Sequence, residues 1–81
     1  MIISNQLVIR EVDDKTMIIN LKNGKVTVVD EIGSLFWNAL SEGNKEAVFE
    51  KIISEYDVEQ DVLESDYITF VEKMKDLEIV W

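Results

Sequence analysis

The sequence has no cysteine, no histidine and no proline among its 81 residues. Without cysteine there is no disulfide framework, no thiolate nucleophile and no cysteine-based zinc site. Without histidine the commonest general base and the commonest metal ligand are also missing. The acidic stretch at residues 57–61 lacks the glycine and the distal glutamate of a calcium-binding loop. The sequence therefore predicts a protein that is not an enzyme and that has no metal site and no cofactor.

Basic residues are also scarce. Acidic residues outnumber them by 17 to 8, which gives a formal net charge of −9 at pH 7. Nucleic acid and anionic membranes both favour a basic face, so neither is expected as a partner. The N-terminal residues do not resemble a signal peptide, and no apolar run approaches the roughly 20 residues that span a bilayer. We expect a cytoplasmic protein that forms one domain over residues 1–81.

Three short segments rich in β-branched residues predict strands at residues 7–12, 16–21 and 25–29. A three-residue loop at 13–15 is expected to join the first two strands. Asn23-Gly24 is well suited to a two-residue hairpin turn between the second and third, because both of its positions require positive φ. No strand candidate follows the third, so in a simple meander it keeps one unpaired edge.

The predicted loops fix a register and hence a core face. Leu21 is expected opposite Val26, and Ile19 opposite both Ile9 and Val28. The predicted core face consists of Leu7, Ile9, Met17, Ile19, Leu21, Val26 and Val28. The other face is then formed by Val8, Arg10, Ile18, Asn20, Thr27 and Val29.

The remainder of the chain predicts three helices with apolar residues at helical spacing. Asp30 is the expected N-cap of the first helix, which ends near Gly43; Gly33 within it suggests a close approach to another backbone. Asn44 is expected to cap a second helix at residues 45–55, and a third runs from about residue 59 or 60 to 76. The apolar tail at residues 78–81 is expected to fold back onto the domain. Three strands followed by three helices predict an α+β fold of the winged helix-turn-helix type.

The ordered segments resemble the PqqD family, the peptide-recognition elements of pathways that make ribosomally synthesised and post-translationally modified peptides. The likeness covers nearly the whole chain. It includes the first strand, the hairpin ending at residues 26–29, and a helix with Asp30, Gly33 and Trp37 at the family's positions. The last helix, with an acidic residue before the apolar row of residues 67–74, completes the match. Many lasso-type members have a tyrosine in the third strand, where this sequence has Val26, Thr27 and Val28.

The resemblance implies a non-catalytic adaptor that captures the leader of a precursor peptide. The leader would add as a strand antiparallel to the third strand, in a groove walled by the third helix. The adaptor would then present the peptide to an enzyme: a leader-cleaving cysteine protease in a lasso-peptide pathway, which we favour, or a radical SAM enzyme in PQQ biosynthesis. The peptide-binding residues predicted on this basis are Lys25, Val26, Thr27, Val28, Val29, Asp66, Tyr67, Thr69, Phe70, Lys73 and Met74.

The free edge supports this interpretation without the family, because an exposed strand edge must be protected or used. Four alternatives stay open. The third strand could be an ordinary edge protected by Lys25 and local twist, or an edge through which two copies of the chain form a homodimer. The whole domain could instead be a winged-helix DNA-binding regulator, against which the acidic start of the third helix argues. It could also be a module that binds a whole protein surface.

Overall fold

The computed structural model describes residues 1–81. Its elements are β1 (Leu7–Val12), β2 (Lys15–Asn20), β3 (Lys25–Val29), α1 (Glu31–Glu42), α2 (Lys45–Tyr56) and α3 (Gln60–Asp76). The strands form one antiparallel sheet in the order β1-β2-β3, and α1 lies against β2 and β3. The predicted α+β fold is confirmed, and so are the helix boundaries to within a residue or two. No helix is both long enough and apolar enough to cross a membrane.

Both hairpin loops differ from the prediction. The β1–β2 loop has two residues, Asp13 and Asp14, instead of three, and Asp13 takes a φ of 58°. The β2–β3 loop has four residues instead of two, because Asn20 lies opposite Lys25. As a result Ile19 lies opposite Val8 and Val26, and the predicted partners Ile9 and Val28 are wrong.

Asparagine side chains favour the longer second loop. The Asn20 carboxamide oxygen accepts a hydrogen bond from the Lys22 N–H at 3.0 Å, and the Asn23 carboxamide oxygen accepts one from the Lys25 N–H at 3.0 Å. Each of these bonds links a side chain to a backbone amide two residues on, which is how asparagine stabilises a turn. Gly24 has a φ of 73°, so the predicted positive φ at this glycine is confirmed in a wider loop.

The predicted core face was wrong for β2 and β3. Thr16, Ile18 and Asn20 are at most 2% exposed, whereas Val26 and Val28 are more than half exposed. The residues wrongly assigned to the core face are Met17, Ile19, Leu21, Val26 and Val28, and those wrongly assigned to the outer face are Ile18, Asn20, Thr27 and Val29. In β1 the predicted face was correct, because Leu7 and Ile9 lie opposite Asn20 and Ile18 and share their face, but Ile9 is 38% exposed and does not belong to the core.

Hydrogen bonds explain why two polar residues of β2 lie inside. The Thr16 hydroxyl donates to the Ser34 hydroxyl of α1 at 2.7 Å. The Asn20 carboxamide nitrogen lies 3.4 Å from each of two carbonyl oxygens, those of Leu77 and Glu78. Buried polar groups with partners cost little, and a count of apolar side chains does not detect such partners.

The start of α1 packs closely against the end of β3. The Asp30 carboxylate accepts a hydrogen bond from the Gly33 N–H at 2.8 Å, which confirms the predicted N-cap. A Cβ atom at Gly33 would lie 2.8 Å from the Cβ atom of Val29, so the glycine allows the helix to approach the end of the strand. Gly43 ends α1 in the left-handed conformation, as predicted, but the Asn44 side chain makes no capping bond to α2.

The core lies between the sheet, the three helices and the C-terminal tail. Phe36 packs against the rings of Phe49, Tyr67 and Phe70, with centroids 5.4–6.2 Å apart. Ile79 and Val80 are each 1% exposed, which confirms that the tail folds back onto the domain. A short antiparallel bridge between Ile3 and Val80 holds the two ends of the chain together.

Candidate functional site

The free edge of β3 presents the backbone groups of two residues. The Leu21 N–H donates to the Gln6 carbonyl at 2.8 Å, which continues the β1–β2 ladder. Because hydrogen bonding alternates along a central antiparallel strand, the odd-numbered residues of β2 bond to β1 and the even-numbered ones bond to β3. Lys25, Thr27 and Val29 therefore use their backbone groups toward β2. The N–H and C=O groups of Val26 and Val28 point to the free edge.

The side chains of β3 alternate in the opposite sense to the prediction. Val26 and Val28 point to the outer face of the sheet, with 56% and 55% of their surfaces exposed. Thr27 and Val29 are turned toward the helices; Thr27 is half-buried and Val29 is buried. Lys25 is exposed at the start of the strand. A strand added at this edge would thus meet Val26 and Val28 through their backbones and, on its outer face, through their side chains.

Helix α3 stands opposite the free edge without closing onto it. No Cα atom of α3 lies within 8 Å of a Cα atom of β3. Neighbouring strands in a sheet are about 4.8 Å apart, so the α3 backbone does not occupy the position that a further strand would take beside β3. The space between β3 and α3 is called here the β3–α3 groove.

A shallow cavity of about 290 Å³ lies at the Val29 end of this groove, between α1 and α3. It is lined by Asp30, Ile32, Gly33, Phe36, Asp66, Thr69, Phe70 and Lys73. Four predicted site residues of α3 therefore come together here. The four from α1 and its cap were missed, although the spacing of Asp30, Gly33 and Phe36 marks a capped helix start against the strand.

The polar groups around the cavity are largely engaged within the protein. The Asp30 carboxylate caps α1, and the Thr69 hydroxyl donates to the Ser65 carbonyl at 3.2 Å. Asp66 and Lys73 are exposed at its rim and carry opposite charges. The cavity thus offers an apolar floor with one acidic and one basic side chain at its edge, which suits an apolar side chain more than a charged one.

Three predicted site residues, Val29, Phe70 and Met74, belong to the buried core, and Tyr67 packs against it. The Tyr67 ring lies edge-on between Phe36 and Phe49, both at 5.4 Å, and the Lys45 ammonium group is 5.5 Å from its centroid. Partial burial raises the pKa of the Tyr67 hydroxyl above its ordinary value. Neither Met74 nor Tyr67 lines the cavity.

A second cavity, of about 230 Å³ and lined mostly by polar residues, lies between the β1–β2 turn, α1 and α2. Its distinctive contact is a hydrogen bond from the Tyr56 hydroxyl to the Glu31 carboxylate, which raises the pKa of Tyr56 to about 12. No three acidic, histidine or cysteine side chains are grouped so as to hold a metal ion anywhere in the structure. The sequence did not indicate this cavity, because the residues that line it are far apart in the chain.

Known proteins resemble this arrangement. No curated protein sequence matches the chain. The family model described as coenzyme PQQ synthesis protein D (PqqD) matches residues 15–80. A solved structure of TbiB1 in complex with the TbiA(beta) leader peptide has 30% sequence identity and a TM-score of 0.86, and the match covers 99% of this chain and 94% of that chain. Since the family model covers most of the chain and TbiB1 matches it nearly from end to end, the chain belongs to the PqqD family.

Proposed function

We propose that the protein is a non-catalytic adaptor that binds the leader of a ribosomally made precursor peptide in the β3–α3 groove. The leader adds to β3 as a fourth, antiparallel strand and is presented to an enzyme of the pathway. The observation that carries this proposal is the free edge at Val26 and Val28, which no Cα atom of α3 approaches within 8 Å. TbiB1, of the same fold, has been solved with a leader peptide.

The contacts expected of the leader follow from the groove. Its backbone pairs with the N–H and C=O groups of Val26 and Val28, which gives affinity that depends little on its sequence. Alternate side chains then point toward the helices, where the cavity beside Phe70 takes one apolar group. The remaining side chains lie on the outer face beside Val26 and Val28. Tyr67 and Met74, which were predicted to contact the peptide, instead support the groove by holding α3 in place.

A peptide fits this groove better than a second copy of the chain. In a homodimer that pairs two β3 edges, the α3 helix of each copy would have to enter the space already bounded by the α3 helix of the other copy. A single extended peptide has no such bulk. The acidic residues along α3 also disfavour DNA as an occupant, because a recognition helix must approach phosphates. The homodimer stays a prediction for the protein without peptide.

For the pathway, we favour a lasso-peptide type, in which the partner is a leader-cleaving cysteine protease. The alternative is a PQQ-type pathway with a radical SAM enzyme as partner. The match to TbiB1, solved with a leader peptide, extends over nearly the whole chain and supports this preference. Cleavage of the bound precursor by a protease encoded beside this protein would support the first pathway.

The proposal is tested by titrating a fluorescently labelled leader with the protein and following its anisotropy. The leader is taken from the precursor encoded beside this protein, and we expect a dissociation constant in the micromolar range or below. Val28→Pro removes an N–H from the free edge of β3 and should weaken binding by about tenfold or more. Thr27→Pro is a poor probe, because the Thr27 N–H points toward β2 and its loss would disrupt the sheet itself.

Glu11→Pro is the matched control, because the backbone groups of Glu11 point to the free edge of β1. It removes one edge N–H without touching the groove, and binding should stay within about twofold of the unmodified protein. Circular dichroism confirms that both variants are folded. Unchanged anisotropy with the unmodified protein, or equal effects of the two prolines, would rule out strand addition at β3.

A further inference from the structure

The end of the molecule that contains the chain termini and the β2–β3 loop has a group of exposed apolar side chains. Ile2, Leu21 and Trp81 are 59%, 63% and 57% exposed, and they are called here the terminal patch. Hydrogen bonds bring their segments together: Leu21 bonds to Gln6, and the Ser4 N–H donates to the Ile79 carbonyl at 2.9 Å. Clustered exposed apolar residues of this kind mark interaction surfaces more often than isolated ones do.

The two members contributed by the chain ends are cross-strand neighbours. The Ile2 N–H donates to the Trp81 carbonyl, and the Trp81 N–H donates to the Ile2 carbonyl. Directly opposed residues of an antiparallel pair have side chains on the same face. Both side chains are more than half exposed, so this pair lies at the surface where the chain ends meet. A tryptophan beside an aliphatic residue is a typical composition for the centre of a protein interface.

The charge around this patch differs from that of the whole protein. The segments at residues 1–6, 21–25 and 75–81 contain three of the eight basic residues, Lys22, Lys25 and Lys75, but only two of the 17 acidic ones. All three lysines are exposed. These segments therefore have a small excess of basic side chains on a protein that is otherwise strongly acidic. This pattern is complementary to an apolar pocket with an acidic rim.

The terminal patch lies where the bound leader would leave the groove. A peptide antiparallel to β3 runs from the Val29 end toward the Lys25 end, and the part of the precursor that follows the leader emerges beside Lys25. The loop with Lys22 and the patch residue Leu21 directly precedes that position. An enzyme acting just beyond the leader would meet this end of the adaptor.

We propose that the terminal patch is the docking surface for the leader-cleaving protease, with Trp81 and Ile2 at its centre and Lys22, Lys25 and Lys75 at its rim. This inference rests on the proposed function, since it requires a leader in the β3–α3 groove. The protease contributes an apolar pocket with acidic side chains around it. Docking places its active site next to the chain that emerges from the groove, which raises the local concentration of the cleavage site.

The experiment uses the full chain, the intact precursor and the protease encoded beside them. The variant Ile2→Ser/Trp81→Ser should bind the leader within about twofold of the unmodified protein. Cleavage of the precursor should fall about tenfold in kcat/KM, mainly through KM for the adaptor–precursor complex. A second variant, Lys22→Glu/Lys75→Glu, should show a fall that is largest at low salt, because exposed charges are screened as salt is added.

The matched control is Val12→Ser/Ile68→Ser, which removes two apolar side chains of similar exposure, 59% and 58%, away from the patch. It should leave both leader binding and cleavage unchanged. Normal cleavage by the patch variant, with leader binding intact, would overturn the docking surface and leave the adaptor function standing. A loss of leader binding in that variant would also overturn it, by assigning the patch to the peptide site. No leader binding by the unmodified protein would remove the adaptor function itself.

Discussion

The two free edges of the sheet differ in what surrounds them. At the β1 edge, Arg10 and Glu11 are exposed, and the strand leads into the charged turn formed by Asp13 and Asp14. No helix has a Cα atom within 8 Å of a Cα atom of β1. The β3 edge has a single charged residue, Lys25, and α3 stands across from it. Both edges have unpaired backbone groups, but only one faces a second wall.

The difference indicates how one sheet keeps one edge protected and another available. Charged side chains discourage pairing at β1, as is usual for edges that must not associate. At β3 a helix across the gap adds side-chain contacts to the backbone pairing, so an added strand is held on two sides. Recognition depends on the space between β3 and α3 as much as on the strand itself.

The largest expected effect comes from filling that space. Thr69 is exposed on α3 and lines the cavity, so the bulky indole of Thr69→Trp should occupy the volume that a leader side chain needs. Since the site is an open surface position, the fold should tolerate the change. We expect leader affinity, measured by anisotropy, to fall by about tenfold or more, because a blocked pocket loses both contact and strand pairing.

Ile68→Trp is the control for this substitution, because Ile68 is exposed on α3 but does not line the cavity. Its leader affinity should stay within about twofold. If Thr69→Trp binds the leader normally, then α3 is not the second wall. The comparison between the two edges would then rest on charge alone.

The sequence predicted the elements well, because each has local signals: β-branched strands, the Asp30 cap, Gly43 and the apolar rows of the helices. It failed on which face of β2 and β3 is buried. Met17 and Ile19 alternate with Ile18, so apolar content alone could not separate the two faces. The deciding contacts are made by Thr16 with Ser34 and by Asn20 with the tail, across 18 to 58 residues. The free edge was predictable, but the α1 side of the cavity was not.

A smaller effect is expected from Gly33→Ala. Alanine favours a helix over glycine by roughly 1 kcal/mol, but overpacking a close contact costs about 1–3 kcal/mol. The contact of 2.8 Å is with the Cβ atom of Val29, which cannot rotate away. We expect the free energy of unfolding, measured by urea titration, to fall by about 1 kcal/mol. Leader affinity should fall severalfold, because α1 and the end of β3 both border the cavity.

Ser41→Ala is the control, at an exposed position of the same helix, and it should change stability by less than about 0.5 kcal/mol. A more stable Gly33→Ala protein would show that helix propensity outweighs the contact with Val29. The strand end would then be able to shift without loss of the fold, and the rigid junction between α1 and β3 would not distinguish this edge from that of β1.

The smallest effect on leader binding is expected on the β1 side of the molecule, at Tyr56. Its hydrogen bond to Glu31 holds the pKa near 12, so the phenol keeps its proton when an unfolded tyrosine would lose it near pH 10. The bond stabilises the fold fully below about pH 10, and this contribution is lost as the pH rises through about 12.

In a Tyr67→Phe background, tyrosinate absorbance should titrate near pH 12, and Glu31→Gln should lower that midpoint. Tyr56→Phe should leave leader affinity unchanged at neutral pH, because neither Tyr56 nor Glu31 lines the groove cavity. A weakened affinity would show that the two sides of the domain are coupled through α1, and the two edges could no longer be treated as independent.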